Sequence, residues 1–252
     1  MLFIAYKDIN FFRIFATMNS RLFLVPTPLG DMEPSMVLPS SVMSLIPQIR
    51  LFFVEEIRTA RRFLSAAGLK GHIDELSLYE INEHTQREAV EGYIKMLKTA
   101  PVDAALISEA GLPAVADPGA LLVELAHNND IEVIPLVGPS SLMLALMSSG
   151  MNGQCFAFTG YLPVKKEERR GRIVQLEKIS QQQHQTQIII ETPYRNDSLF
   201  QDLLSVCRPS TRICIAADIT LPTPFIKTKS VEQWRKSIPE IGKRPCVFVL
   251  QG

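Results

Sequence analysis

From Arg21 onward, short apolar runs alternate with amphipathic helical stretches and clusters of turn residues, and that alternation restricts the chain to an α/β fold with parallel strands. RLFLVPT (Arg21 to Thr27) reads as the first strand, a proline-interrupted helix covers about Ser35 to Gln48, and LFFVE (Leu51 to Glu55) is the second strand. EEIRTARRFLSAAG follows as an amphipathic helix that ends at Gly68. After a loop, Thr85 to Lys98 has helical spacing, and VDAALIS (Val102 to Ser108) is apolar enough to lie inside a sheet. Helix Ala120 to Asn128, strand Ile131 to Leu136 and helix Leu142 to Ser149 come next, stopped by Gly150.

A chain of 252 residues is long for one compact core, so two domains are expected. The spacing assigns residues 21–150 to an N-terminal α/β domain and 151–252 to a C-terminal one with mixed strand directions. In the second domain, strands Gln154 to Tyr161, Ile188 to Glu191, Arg212 to Asp218, Phe225 to Lys229 and Cys246 to Leu250 alternate with helices. The helices start near Lys165 and cover Ser198 to Cys207 and Val231 to Ser237, and the polar stretch SQQQHQTQ reads as an exposed turn. Residues 1–20 are read as an extension: they lack a basic leader and a small-residue cleavage site, and Met18 is a candidate start, with the residues upstream a translated leader or a loosely packed segment.

Hydrophobic residues are 46% and charged residues 21%, which excludes a disordered chain. Lys and Arg number 26 against 26 Asp and Glu, so contact with nucleic acid or anionic lipid must come from a local patch. Four cysteines without metal-ligand spacing are expected to be reduced, in cytoplasm, with no metal bound. No apolar run reaches the roughly 18 to 20 residues of a membrane span, so no membrane partner is expected. Trp234 is assigned to core packing.

The sequence lacks GxGxxG after a strand, GxxxxGK[ST], HExxH and GxSxG, which removes the main supports for dinucleotide enzymes, P-loop NTPases, zincins and α/β-hydrolases. Ligands of parallel sheets bind beyond the carboxyl ends of the strands, where PTPLGD, SEAGLPAVADPG and LVGPSS fall. All three loops are rich in Gly and Pro, which suits a pocket edge built of preorganised main-chain groups. The helix after VGPSS would turn its free N–H groups to that pocket, with Ser140 or Ser141 as cap.

The runs VPTPLGD, SEAGLPAVADPG, IPLVGPSSLMLALMSSG, FTGYLP and ETPYR, in that order, resemble the tetrapyrrole (corrin/porphyrin) methylase family of S-adenosyl-L-methionine-dependent enzymes. They are most similar to its branch of ribosomal small-subunit RNA cytidine 2′-O-methyltransferases, over nearly all of Arg21 to Gly252. The resemblance implies two α/β domains with the cofactor in the cleft between them, and a homodimer. It implies that Ser108, Glu109, Ala110 and Gly111 lie against the methionine part with Val115 nearby, and that Val137, Ser140 and Ser141 support the other side. Tyr161, Glu191, Thr192, the segment Asp218 to Thr220 that includes Ile219, and Pro245 with Cys246 fall where the family closes over the adenosine. Pro28, Arg58 and Arg62 fall on the substrate side.

The chain departs from the branch at Leu112, where a threonine is usual, at Tyr194-Arg195 in place of histidine-arginine, and at Asp218-Ile219-Thr220-Leu221 in place of a Glu-Leu-Thr-Lys run. These departures leave the expected cofactor in place and bear on the acceptor, either RNA of the small ribosomal subunit or a tetrapyrrole or other small molecule. A rival expectation is a binding protein that keeps the cleft without turnover. For a ribose hydroxyl acceptor, the candidate bases by motif position are Glu83, His84 and Asp117, each with an ordinary structural alternative such as a helix cap for Asp117. Two basic clusters, Arg58, Arg61 and Arg62, and Lys165, Lys166, Arg169, Arg170 and Arg172, could hold RNA phosphates or tetrapyrrole carboxylates. Glu167 and Glu168 interrupt the second, so a solvated helix face is an equal reading.

Overall fold

A computed structural model of the protein describes residues 20–252, so the expectations for the segment before Ser20, including the start at Met18, lie outside the described residues. Strands β1 (Arg21–Val25), β2 (Leu51–Val54), β3 (Ser77–Glu80), β4 (Ala104–Ile107) and β5 (Glu132–Pro135) form a wholly parallel sheet in the order β3-β2-β4-β1-β5. The central strands are apolar on both faces because helices cover both. Phe23, Val25, Phe52, Val54, Ala105 and Ile107 pack toward α1 (Ser40–Leu45) and α2 (Ile57–Leu64). Leu22, Leu51, Phe53, Ala104 and Leu106 pack toward α3 (Arg87–Thr99) and α4 (Ala120–His127).

Strand β3 falls in a segment the sequence reading treats as loop. Its residues, SLYE, are half-buried or exposed at the sheet edge, so neither an apolar run nor a clear alternation marks it. Tyr79 anchors it by packing beside Phe53 and Tyr93, with ring centroids 6.1 and 5.2 Å away.

The second sheet contains β6 (Phe156–Tyr161), β7 (Thr186–Ile190), β8 (Arg212–Ala217), β9 (Phe225–Ser230) and β10 (Cys246–Gln251), in the order β6-β7-β10-β8-β9. Only β6 and β7 pair in parallel; the other pairs are antiparallel, which gives the expected mixed sheet. Helices α6 (Lys166–Gln183), α7 (Asn196–Val206) and α8 (Val231–Lys236) cover one face. Trp234 is core, as expected, and its indole N–H donates to the Ile213 carbonyl at 2.9 Å. The glutamine stretch is not an exposed turn: Ser180 to Gln183 form the last turn of α6, which stops where His184 takes φ 50°. Glutamine is a good helix former, so the helix continues through Gln183 before the chain turns at His184.

Helix α5 (Ser141–Ser149) joins the two halves. Its Leu142, Ala145 and Leu146 pack on Ile188, Cys214, Ala216, Val247 and Val249, the remaining face of the second sheet. The expected division at residue 150 falls after this helix. One end of α5 therefore sits on the rim of the first sheet while its body covers the second, which fixes the cleft between them.

The second basic cluster is neither an open phosphate site nor a fully solvated face. Arg169 and Asp202 are 5% and 3% exposed, and Asp202 Oδ2 accepts from Arg169 Nε and Nη2 at 2.8 and 2.5 Å. Arg169 also donates to the Val164 carbonyl and to Ser198 Oγ, and Arg170 Nε donates to Asp202 Oδ1 at 2.8 Å. Two of the five cations thus clamp α6 to α7.

Candidate functional site

Beyond the carboxyl ends of β1, β4 and β5, three loops close on one another through their own backbones. Thr27 N–H donates to the Gly111 carbonyl at 2.9 Å, Gly111 N–H returns the bond at 3.2 Å, and Thr27 Oγ1 reaches the Ser108 carbonyl. Gly138 lies so close to the first loop that a Cβ there would sit 2.2 Å from Pro26 Cβ. The close approach expected of these glycines is therefore partly loop against loop.

Four of the six non-glycine residues with left-handed backbone among the described residues lie in two loops of the cleft: Ala114 (φ 63°) and Ala116 (φ 58°) on one side, Asp218 (φ 50°) and Thr220 (φ 69°) on the other. Such conformations persist only where the surroundings hold them. Asp218 is held by Arg244 Nε at 2.7 Å, by Thr223 Oγ1 at 2.9 Å, and by its own N–H donating to the Pro245 carbonyl. Leu221 closes one edge of the cleft against Gly30, where a Cβ would come within 2.7 Å of Leu221 Cδ2.

Two adjoining cavities of about 220 and 180 Å³ occupy the cleft and share Ala110, Ser141 and Ile190. Leu29, Ala110 and Ser141 meet Tyr161, Glu191, Ile219, Leu221, Pro245 and Cys246 around the first. Gly111, Leu112, Val115, Ala116 and Ser140 complete the second. Ser140 also caps α5, its Oγ accepting from Met143 N–H at 3.4 Å. The first cavity is largely apolar and the second more polar, which together suit a small ligand with both apolar and polar parts.

The polar group set deepest is Glu191, whose side chain is 0% exposed. Its Oε1 accepts from Thr192 N–H at 2.6 Å and from Arg195 Nε and Nη2 at 2.9 and 2.5 Å, while its Oε2 has no hydrogen-bond partner. An orphaned carboxylate oxygen is costly to bury, so this position suits a ligand that brings an N–H or O–H donor. Burial pushes the Cys246 thiol up to about 12, the nearby Cys214 and Asp218 adding to it. Cys246 in the native protein is expected to resist iodoacetamide at pH 8, while unfolding in urea releases it; mass spectrometry of the peptide reads this.

Of the residues expected at the cofactor, Ala110, Gly111, Val115, Ser140, Ser141, Tyr161, Glu191, Ile219, Pro245 and Cys246 border the two cavities. Ser108 and Glu109 border instead a separate small hollow with Thr27, Glu55, Glu56 and Thr59. Val137 is 72% exposed, Thr192 is exposed, and neither borders the cavities. Pro28, expected on the substrate side, is buried. Glu83 and His84 stand 84% and 86% exposed in a turn fixed by Asn82 and Thr85, away from any cavity wall. Asp117 is not the cap of α4, which starts from Gly119 without a side-chain cap; its Oδ1 instead accepts from Gly119 N–H at 3.0 Å and Ala114 N–H at 3.4 Å, tying the loop that leads into α4.

Arg58 and Arg62 are exposed on α2 without an ion-pair partner among the described residues, whereas Arg61 is paired with Asp74 at 2.5 Å. Helix α2 starts from Glu56, whose carboxylate accepts from Arg58 and Thr59 N–H at 2.8 and 2.6 Å. The hydroxyl of Thr59, then those amides, hold the Glu56 carboxyl below the usual range. Its neighbour Glu55 is shifted the other way, first by burial and then by the Asp117 carboxylate. Sequence reasoning passed over Glu55, Leu29, Ile190 and Leu221. Ile190 had one available signal, as the last apolar residue of a strand that runs into Glu191.

Among the described residues no helix is long and apolar enough to cross a membrane, and no group of three or more His, Cys, Asp or Glu is placed to hold a metal. No family profile matches the chain. It is similar to proteins named ribosomal RNA small subunit methyltransferase I: that of Vibrio cholerae (26% identity, 79% of this chain, 65% of that protein), of Haemophilus influenzae (27%, 92% and 78%) and of Pseudomonas aeruginosa (28%, 92% and 78%). The chain spans about two thirds of the length of the Vibrio cholerae protein. Among solved structures, the methyltransferase CobJ superposes with a TM-score of 0.62 at 14% identity, over 93% of this chain and 95% of that one. Uroporphyrin-III C-methyl transferase from Thermus thermophilus, complexed with S-adenyl homocysteine, does so with 0.55 at 16% identity, over 92% and 97%. The expected two-domain fold and the resemblance to tetrapyrrole methylases are borne out.

Proposed function

We propose that the protein is an S-adenosyl-L-methionine-dependent methyltransferase that acts on RNA of the small ribosomal subunit, at a ribose 2′-hydroxyl. The observation that carries this is the pair of adjoining cavities in the interdomain cleft, bordered by ten of the residues that the resemblance assigns to the cofactor. The orphaned Glu191 Oε2 gives that ligand a place for one of its donors. Relatives named for ribosomal RNA favour it over a tetrapyrrole as acceptor. The same reading includes a cytoplasmic homodimer, on the strength of the resemblance alone.

The bound cofactor supplies an electrophilic methyl on a good leaving group, so the protein's contribution is alignment and control of one proton. Ala110, Gly111 and Val115 with Ser140 and Ser141 would hold one end of it, and Tyr161, Glu191, Ile219, Pro245 and Cys246 the other. The loops that carry these residues are locked to each other and to the second sheet, which limits the reorganisation left for the reacting complex. Arg58 and Arg62, free on α2, would meet phosphates of the RNA.

Incubation of the pure protein with methyl-labelled cofactor and small ribosomal subunits is expected to place label on a 2′-oxygen of the RNA. Arg58→Ala with Arg62→Ala should lower transfer at least tenfold while leaving S-adenosylhomocysteine binding intact. Label in precorrin or porphyrinogen but not in RNA would overturn the acceptor, and an absence of transfer despite cofactor binding would favour a binding protein.

A further inference from the structure

We infer that Glu55 is the proton acceptor of the methyl-transfer step, receiving the acceptor hydroxyl's proton in the hollow it shares with Ser108. The inference rests on the methyl-transfer reading above and adds the group that takes the proton. The hollow, at the carboxyl ends of β2 and β4, is about 10 Å³, room for a single oxygen. Ser108, 8% exposed, borders it with a buried Oγ that has no hydrogen-bond partner, so the site offers a donor for that oxygen as well as a base. The other hydroxyls there are committed: Thr27 Oγ1 to the Ser108 carbonyl, Thr59 Oγ1 to Glu56 and Glu109. Ser108 and Glu109 border the hollow, and the next two residues, Ala110 and Gly111, border the cofactor cavities, so one short run of chain connects the two.

Of the carboxylates that border the hollow, Glu55 is half-buried, whereas Glu109 is exposed and accepts from Thr59 Oγ1 at 3.2 Å. Asp117 is spent on the Gly119 and Ala114 amides, and Glu56 on the first turn of α2. Glu55 accepts the Glu109 N–H at 3.3 Å, lies within hydrogen-bonding reach of the Asp117 carboxyl, and has no ion-pair partner among the described residues. The charged groups facing it are the carboxylates of Asp117 and Glu109, both from the loop after β4. Burial, then the Asp117 charge, raises its carboxyl, which strengthens it as a proton acceptor. In the step, the hydroxyl O–H bond breaks and its proton goes to Glu55. The oxygen bonds to the methyl, and the methyl–sulfur bond breaks with its electron pair left on sulfur. Glu55 then returns the proton to solvent.

Glu55→Gln tests this, with S-adenosylhomocysteine titration as the check on fold and cofactor binding. Transfer to small ribosomal subunits is expected to rise with pH in the wild type, and in Glu55→Gln to fall about 100-fold and lose that rise, with Ser108→Ala falling less. A readout independent of turnover is thermal stability. A carboxyl raised on folding costs the native state stability as pH climbs from its unfolded to its folded value. The melting point of Glu55→Gln should therefore equal that of the wild type near pH 4 and exceed it near pH 8. Transfer within threefold of wild type with the same pH profile, or a melting difference that does not vary with pH, would overturn the assignment of Glu55. Failure of the wild type itself to bind S-adenosylhomocysteine would overturn the methyltransferase reading instead.

Discussion

Asp202→Ala is expected to lower the unfolding free energy by about 3–5 kcal/mol, measured by urea denaturation. The substitution strands Arg169, whose guanidinium is 5% exposed and spends its remaining donors on the Val164 carbonyl and Ser198 Oγ. An uncompensated buried charge is costly because it has left water without gaining a partner. Arg170→Ala removes the partly exposed partner of the same carboxylate and should cost less than about 1 kcal/mol. Equal effects of the two would mean that the clamp between α6 and α7 is not buried as described.

Gly138→Val should both destabilise the protein, by about 1–3 kcal/mol, and abolish measurable cofactor binding. Any side chain at 138 must displace Pro26, whose Cβ and Cγ would lie 2.2 and 2.4 Å from the new Cβ. Pro26 is buried, so the rigid loop after β5 would move instead, and with it Ser140 and Ser141 at the head of α5. Because α5 is also packed on the second sheet, the displacement would open the cleft. Gly153→Val, where a Cβ meets nothing within 4 Å, is the control and should bind S-adenosylhomocysteine as the wild type does. Weak binding in both variants would point to a general loss of folding.

The architecture was readable wherever the apolar period was strong. β1, β2 and β4 carry four-residue apolar cores and were found, while β3 was not, because Ser77 and Glu80 are exposed and the pairing of its edge is a tertiary matter. Loops rich in Gly and Pro marked the rim, but their glycines serve partly to seat neighbouring loops, as Gly138 does on Pro26. Basic residues in a row looked like one patch, yet Arg169 and Arg170 turn inward to an aspartate 32 or 33 positions away. A linear reading has no access to such a partner. Glu83 and His84 are candidates by motif position, while the half-buried carboxylate beside a hollow, Glu55, becomes visible only when the ends of β2 and β4 lie side by side.

A crystal structure of the protein grown with S-adenosylhomocysteine tests the central claim most directly. The ligand is expected in the interdomain cleft, in contact with Ala110, Ser141 and Ile219, with one of its donors on Glu191 Oε2. Ligand bound anywhere outside that cleft, or a cleft without ligand at saturating concentration, would contradict it.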